Sequence, residues 1–152
     1  MNKIKIFLAA PISGFKDEVQ YKKNRENLLN LINRLNTKFQ VFSEISYIGS
    51  LASYDEPGES VIKDFGKICE SDIFIIYHPM NMQTSTFIEL GYAVAKEKKI
   101  IIIAKTDILP YLALGLSKYS SDIKIISSYE SSDSIFRQVE EVVNEFLDTS
   151  NI

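Results

Sequence analysis

Apolar positions along this chain follow two rhythms that alternate. Short, nearly unbroken runs rich in β-branched and aromatic residues occur at 3–9 (KIKIFLA), 39–43 (FQVFS), 72–77 (DIFIIY), 99–104 (KIIIIA) and 122–127 (DIKIIS), and each predicts a strand. Between them the apolar residues recur at intervals of three and four. Tyr21, Leu28, Leu31, Ile32 and Leu35 predict a helix over 18–36, and Val61, Ile62, Phe65, Ile68 and Cys69 a second over 59–70. The Ala- and Leu-rich stretch 85–97 predicts a third. Ile135, Val139, Val142, Val143 and Phe146 mark a final helix, capped by SSDS at 131–134. Residues 106–120 carry no clear period; Pro110 starts or kinks a short helix there.

Continuous rather than alternating apolar strands have both faces covered. The order strand–helix–strand therefore predicts one three-layer α/β/α domain spanning 1–152, around a five-stranded, mainly parallel sheet of flavodoxin or Rossmann type. Its crossovers are expected to be right-handed. Ligands of such sheets bind beyond the carboxyl ends of the strands. That places a site among loops 9–16, 44–58, 78–86 and 105–110. The second of these, with Gly49, Pro57 and Gly58, is long for a plain link and reads as a binding loop.

Composition narrows the function. The 152 residues are 45% hydrophobic and 24% charged, too apolar for a disordered chain. The longest apolar stretches, 6–12 and 100–104, are far short of a bilayer span. One cysteine, Cys69, excludes an internal disulfide, and one histidine, His78, argues against His-rich metal sites and a Ser-His-Asp triad. With 17 Lys and Arg against 20 Asp and Glu the net charge is −3, and the basic clusters 22–25 and 96–99 are mixed with acids. A nucleic-acid polymer is a poor partner for such a chain. The basic residues 3 and 5 precede a short apolar run interrupted by Pro11, which reads as a strand rather than a leader, so a cytoplasmic location is expected.

The segment 83–99, QTSTFIELGYAVAKEKK, carries the most chemistry. Glu89 falls in the first turn of a helix that starts at the carboxyl edge of the sheet, where the helix dipole favours an ionised carboxylate. Such a group can act as a nucleophile or stabilise an oxocarbenium-like centre. Thr86-x-x-Glu89 also has the spacing of a capping box, in which Glu89 does no more than satisfy a backbone N–H. Gly91 next to it allows close contact with the sheet. Thr84, Ser85 and Thr86 are either caps or hydroxyl donors to a phosphate at the helix start.

Three elements together resemble the nucleoside 2-deoxyribosyltransferase family, including the deoxynucleoside-monophosphate N-glycosidases. They are Phe7-Leu8-Ala9-Ala10-Pro11-Ile12-Ser13-Gly14 closing the first strand, Asp64…Ile68-x-x-Ser71-Asp72 entering the third, and Glu89-Leu90-Gly91-Tyr92-Ala93 before a Lys-rich turn. The resemblance covers about residues 3–104. It implies cleavage or transfer at the N-glycosidic bond of a nucleoside or nucleotide, with Glu89 as the nucleophile that forms a glycosyl-enzyme intermediate and Asp64 facing the sugar or leaving base. It implies no metal and no cofactor. The candidate substrate-binding residues are Phe7, Ala10, Ser13, Gly14, Tyr47, His78, Gln83, Ser85 and Thr86. Read from the residues themselves, Ser13 and Gly14 are either donors to the substrate or a tight turn, Phe15, Tyr47 and Tyr54 either stack on a base or pack the loops, and His78 either meets the base or is an incidental loop histidine. Asp72 falls at the amino-terminal edge of its strand, where a turn or cap role suits it better.

The sequence departs from the family in three places. Phe7 stands where a tyrosine usually orients the nucleophile, Gln83 where an aspartate often recognises the base, and Thr84–Phe87 where many members are glycine-rich. Hydroxyls at a helix start suit a phosphate, as in the nucleotide N-glycosidases. The competing readings are a nucleotide-binding sensor that does not cleave, and a TIR-like NAD hydrolase. Family members assemble as oligomers in which a neighbour's C-terminal residues can complete the site, and the helix at 131–147 is compatible with a homo-oligomer here.

Overall fold

The computed structural model describes residues 2–51, 55–127 and 131–150. Strands β1 (Lys5–Ala9), β2 (Gln40–Phe42), β3 (Ile73–Tyr77), β4 (Lys99–Ile103) and β5 (Ile123–Ile126) form one sheet in the order β2-β1-β3-β4-β5. Every pairing is parallel, with Phe7 beside Phe42 on one side and Phe74 on the other. This is the flavodoxin-like order. Helices α1 (Glu18–Leu35), α2 (Pro57–Glu70), α3 (Thr86–Ala95), α4 (Tyr111–Tyr119) and α5 (Ser132–Thr149) complete the layers. Single 3₁₀ turns occupy Glu44–Ser46 and Thr106–Ile108. The ambiguous stretch 106–120 thus resolves into a turn and α4, with Pro110 at the N-cap of the helix.

Both sheet faces are buried, as the unbroken strands require. Ile6, Leu8, Ile73, Ile75, Ile101 and Ile103 pack on α1 and α5 through Leu28, Leu31, Leu35, Phe136, Val139, Val143 and Phe146. Phe7, Ala9, Phe74, Ile76, Ile100 and Ile102 pack on the opposite layer through Ile68 of α2, Leu90 and Ala93 of α3 and Ala113 of α4. Each such side chain withdrawn from water is worth roughly 1.5–3 kcal/mol. Local chemistry fixes the helix starts. Asp17 accepts a bond from the Gln20 N–H at 2.8 Å while Gln20 Oε1 accepts from the Lys16 N–H. Ser131 caps α5 through the Ser134 N–H.

Helix α5 buries its apolar face, Ile135, Phe136, Val139, Val143 and Phe146, in the core. Exposed large apolar residues sit mostly on α2, α3 and α4, among them Ile62, Ile88, Tyr111, Leu112 and Tyr119, with Val19 on α1, Tyr47 in the turn after β2 and Leu147 on α5. Among the described residues no helix is long and apolar enough to cross a membrane.

From β1 the chain turns to β2 on one side, and from β3 to β4 on the other. The loops after β1 and β3 therefore part, and a crevice opens between them at the carboxyl edge.

Candidate active site

A cleft of about 120 Å³ fills that crevice. Phe7 forms its floor; Ala10 and Ser13 come from the loop after β1, Ser85, Thr86 and Glu89 from the start of α3, and Ser60 and Asp64 from α2. Glu44 and Ile48, just past β2, close the remaining wall. Seven of the residues singled out in the sequence thus meet in one place: Glu89, Asp64, Phe7, Ala10, Ser13, Ser85 and Thr86. Phe7 meets it only as scaffold, since its ring is 1% exposed and stacks on Phe74 at 5.7 Å and against Phe42 at 5.5 Å.

Glu89 is not a cap. The N-cap of α3 is Ser85, so the box position three residues on is Ile88, and Glu89 lies one residue too far along. The cap bond comes instead from Thr84, whose Oγ1 accepts from the Thr86 N–H and hydroxyl, both at 3.3 Å. Ser85 makes no capping bond with its side chain, and its place is on the cleft. Gly91 is exposed, with no atom near its would-be Cβ, so it does not serve close packing on the sheet.

The electrostatics reverse the expectation that Glu89 is ionised at rest. Burial pushes its carboxyl up to about 9, helped by the Asp64 charge, a hydrogen bond with Asp64 and the charge on Glu44. Burial also raises Asp64, to about 6; Glu44 raises it further, while the bond with Glu89 and the charge of Lys63 pull it down. The helix dipole is the smaller effect here, because it is worth at most ~2 kcal/mol. Two carboxyls that interact this closely titrate as a pair, and burial pushes that pair toward its protonated side.

Glu44 is the residue that sequence reasoning missed. It opens the 3₁₀ turn after β2, its side chain only 14% exposed, and its Oε1 lies 3.0 Å from Lys63 Nζ. That ion pair raises the Lys63 pKa. Lys63 also approaches Asp55 Oδ2 at 3.6 Å and the Tyr47 ring at 5.4 Å. The available signal was an acid directly following a short strand, hence at the carboxyl edge of the sheet. The wall that carries it is held from α1. Arg25 donates to the carbonyls of Ile45, Ser46 and Ile48 at 3.0, 3.3 and 3.1 Å; Tyr21 donates to Ile48; Glu18 accepts from the Leu51 N–H at 2.8 Å. Among the described residues no group of His, Cys, Asp and Glu is arranged to hold a metal ion.

Four expected substrate-binding residues lie outside the cleft. His78 is 1% exposed, edge-on to Phe87 at 5.0 Å and hydrogen-bonded to the Ile108 backbone; burial lowers its pKa and keeps it neutral. It ties two loops together. Tyr47 is exposed on the outer side of its turn, tilted on Phe42. Gln83 lines a separate surface hollow with Asn81, Thr84 and Pro110. Gly14 is a backbone residue: its φ is +95°, and a Cβ there would sit 2.4 Å from the Gln83 carbonyl oxygen. It locks the loop after β1 to the loop after β3. Replacing Gly14 by alanine is therefore expected to cost about 2–3 kcal/mol in urea unfolding. An unchanged midpoint would refute this clamp. Phe15 is likewise core, edge-on to Tyr21 at 5.6 Å. Asp72 accepts from the Lys5 N–H at 2.8 Å at the amino-terminal edge, the structural role its position suggests. Tyr54 lies outside the described residues.

No protein-family model matches the chain, and no curated protein sequence matches it. Solved structures do resemble it. The CMP N-glycosidase BcmB of Clostridium botulinum superposes with a TM-score of 0.66 and 23% identity, over 90% of this chain and 98% of that one. BlsM superposes with a TM-score of 0.80 and 18% identity, over 99% and 96%. A conserved protein from Enterococcus faecalis V583 follows at 0.57 and 12%, over 91% and 98%. At these identities the likeness establishes the fold: a three-layer α/β/α domain on a five-stranded parallel sheet, shared along nearly the full length of each chain.

Proposed function

We propose that this protein cleaves the N-glycosidic bond of a small nucleotide, with Glu89 as nucleophile and Asp64 as the acid that serves the leaving base. One observation carries the reading: Glu89 and Asp64, two carboxyls whose pKa values burial raises, line one open cleft at the divergence of the strands. BcmB, with the same fold, is by its name a CMP N-glycosidase, which favours a nucleotide as substrate.

One proton and two carboxyls suffice for the chemistry. Transfer of the Glu89 proton to Asp64 leaves Glu89 as the carboxylate. Glu89 attacks C1′, and an ester bond to the sugar forms as the C1′–N bond breaks. The base departs with the electron pair of that bond and takes the proton from Asp64. Water then attacks C1′, Asp64 accepts its proton, and the ester opens to return Glu89 and the free sugar phosphate. The hydroxyls of Ser13 and Ser85 and the N-terminus of α3 line the cleft on the side offered to the phosphate, while the Thr86 hydroxyl is taken up by Thr84. Where a nucleophile-orienting tyrosine hydroxyl is expected, Phe7 offers none, so the hydrogen bond with Asp64 is what orients Glu89.

The test is incubation of the purified protein with CMP, dCMP, other nucleoside monophosphates, nucleosides and NAD, followed by chromatographic separation of products. Release of free base from a monophosphate is expected. Release of nicotinamide from NAD alone would favour a TIR-like hydrolase. Unchanged ligand with a raised melting temperature would make the protein a binding module.

A further inference from the structure

We propose that Ser60 is a specificity-determining residue of the cleft, its hydroxyl hydrogen-bonding the polar edge of the leaving base; this rests on the N-glycosidase reading above. Helices α2 and α3 both start at the carboxyl edge and pack on one face of the sheet, where Ile68 and Ala93 are fully buried. Tyr92 of α3 fixes their register. Its ring stacks on Phe65 at 3.9 Å and its hydroxyl lies 3.2 Å from Cys69 Sγ, so it sits level with the turn of α2 between those two residues. Three pairs then stand level, each 25 residues apart in sequence: Ser60 with Ser85, Asp64 with Glu89, and Ile68 with Ala93. Within each helix these residues recur every four positions, so they share a face and climb by about 6 Å per step. The apolar pair lies against the sheet. The carboxyls and, one turn nearer the mouth, the serines line the cleft.

The two walls serve different parts of the substrate. Glu89 attacks C1′ from α3, and Ser85 stands above it on the side offered to the phosphate. Asp64 gives its proton to the base from α2, so the base lies along α2, and the next polar group toward the mouth on that wall is Ser60. The acids that line the cleft beside it, Asp64 and Glu44, repel a phosphate and leave the neutral base as the occupant. Ile12 and Ile48 line the same cleft and offer apolar contact to the ring. Among the described residues the Ser60 hydroxyl has no hydrogen-bond partner, so it has both a donor and an acceptor to offer. A site that hydrogen-bonds its substrate rejects analogues lacking the matching atom, because its own polar group is then left unpaired.

The experiment compares two substrates that share sugar and phosphate. CMP carries a base with a polar edge; p-nitrophenyl ribose 5-phosphate carries none. In Ser60→Ala, kcat/KM for CMP should fall about 10–100-fold, while that for the p-nitrophenyl compound stays within about twofold. Ser60→Thr, which keeps the hydroxyl, should recover part of the loss. Ser85→Ala should weaken both substrates alike. An unchanged kcat/KM for CMP in Ser60→Ala, or an equal loss toward both substrates, overturns the proposal. A parent protein that binds CMP but releases no base from any nucleotide overturns the N-glycosidase reading instead. Calorimetry then still decides the role of Ser60: its alanine variant should bind CMP about 10-fold more weakly and ribose 5-phosphate as the parent does. A parent that neither cleaves nor binds CMP overturns both.

Discussion

Glu89→Gln is expected to abolish base release and to make the protein more stable at the same time. Loss of the nucleophile should lower kcat by at least about 10³-fold, because amide nitrogen and oxygen cannot form the glycosyl ester. The stability gain follows from linkage. The folded carboxyl is raised to about 9 from an ordinary value near 4.5, by burial first and by Asp64 and Glu44 after it. Between those values the native state holds a proton that the unfolded chain has released. Unfolding thus liberates a proton, and stability falls as pH rises through that window. Glutamine has no proton to lose. The variant should match its parent near pH 4 and exceed it increasingly toward pH 9, on the order of 2 kcal/mol or roughly 4–8 °C in Tm at pH 8. Melting curves at pH 5, 7 and 8.5 check the sign. A Tm at pH 8 below that of the parent would show that Glu89 is a structural carboxylate.

Asp64→Asn separates the two members of the pair. It keeps the shape of the side chain and removes the acid that protonates the leaving base, so kcat should drop about 10²–10³-fold. The loss should shrink for substrates whose base leaves readily without protonation, such as p-nitrophenyl riboside in place of a nucleotide. Glu89→Gln should stay inactive toward both. The Asn variant also removes the Asp64 charge that helps hold Glu89 protonated, so the carboxyl of Glu89 should titrate lower than in the parent. Equal losses toward good and poor leaving groups would remove Asp64 from the acid role.

The two predictions rest on residues that the sequence placed well, and the reason is periodicity. Strands such as 73–77 and 99–103 are buried on both faces, so they read as unbroken apolar runs, and alternation with helical stripes left few topologies to choose from. Glu89 and Asp64 lie on helices, where spacing fixes which residue meets the sheet edge. Loop residues have no such ruler. His78 follows directly on β3, but the chain folds it under α3 against Phe87. Tyr47 sits one residue past a 3₁₀ turn and faces away from the cleft. Glu44 lies in the same loop and lines the cleft, in a turn that α1 holds through its carbonyls and with its side chain paired to Lys63 of α2. The charge state of Glu89 was hidden for another reason. A helix start is visible in a sequence, whereas two further carboxyls brought from 25 and 45 residues away are not.

The grip of α1 on the loop after β2 has an evolutionary consequence. Arg25 and Tyr21 hold main-chain oxygens, which any amino acid supplies. Side chains at 46 and 47 can thus be exchanged without loosening the wall, and selection can alter the outer surface of this loop while the scaffold beneath stays fixed.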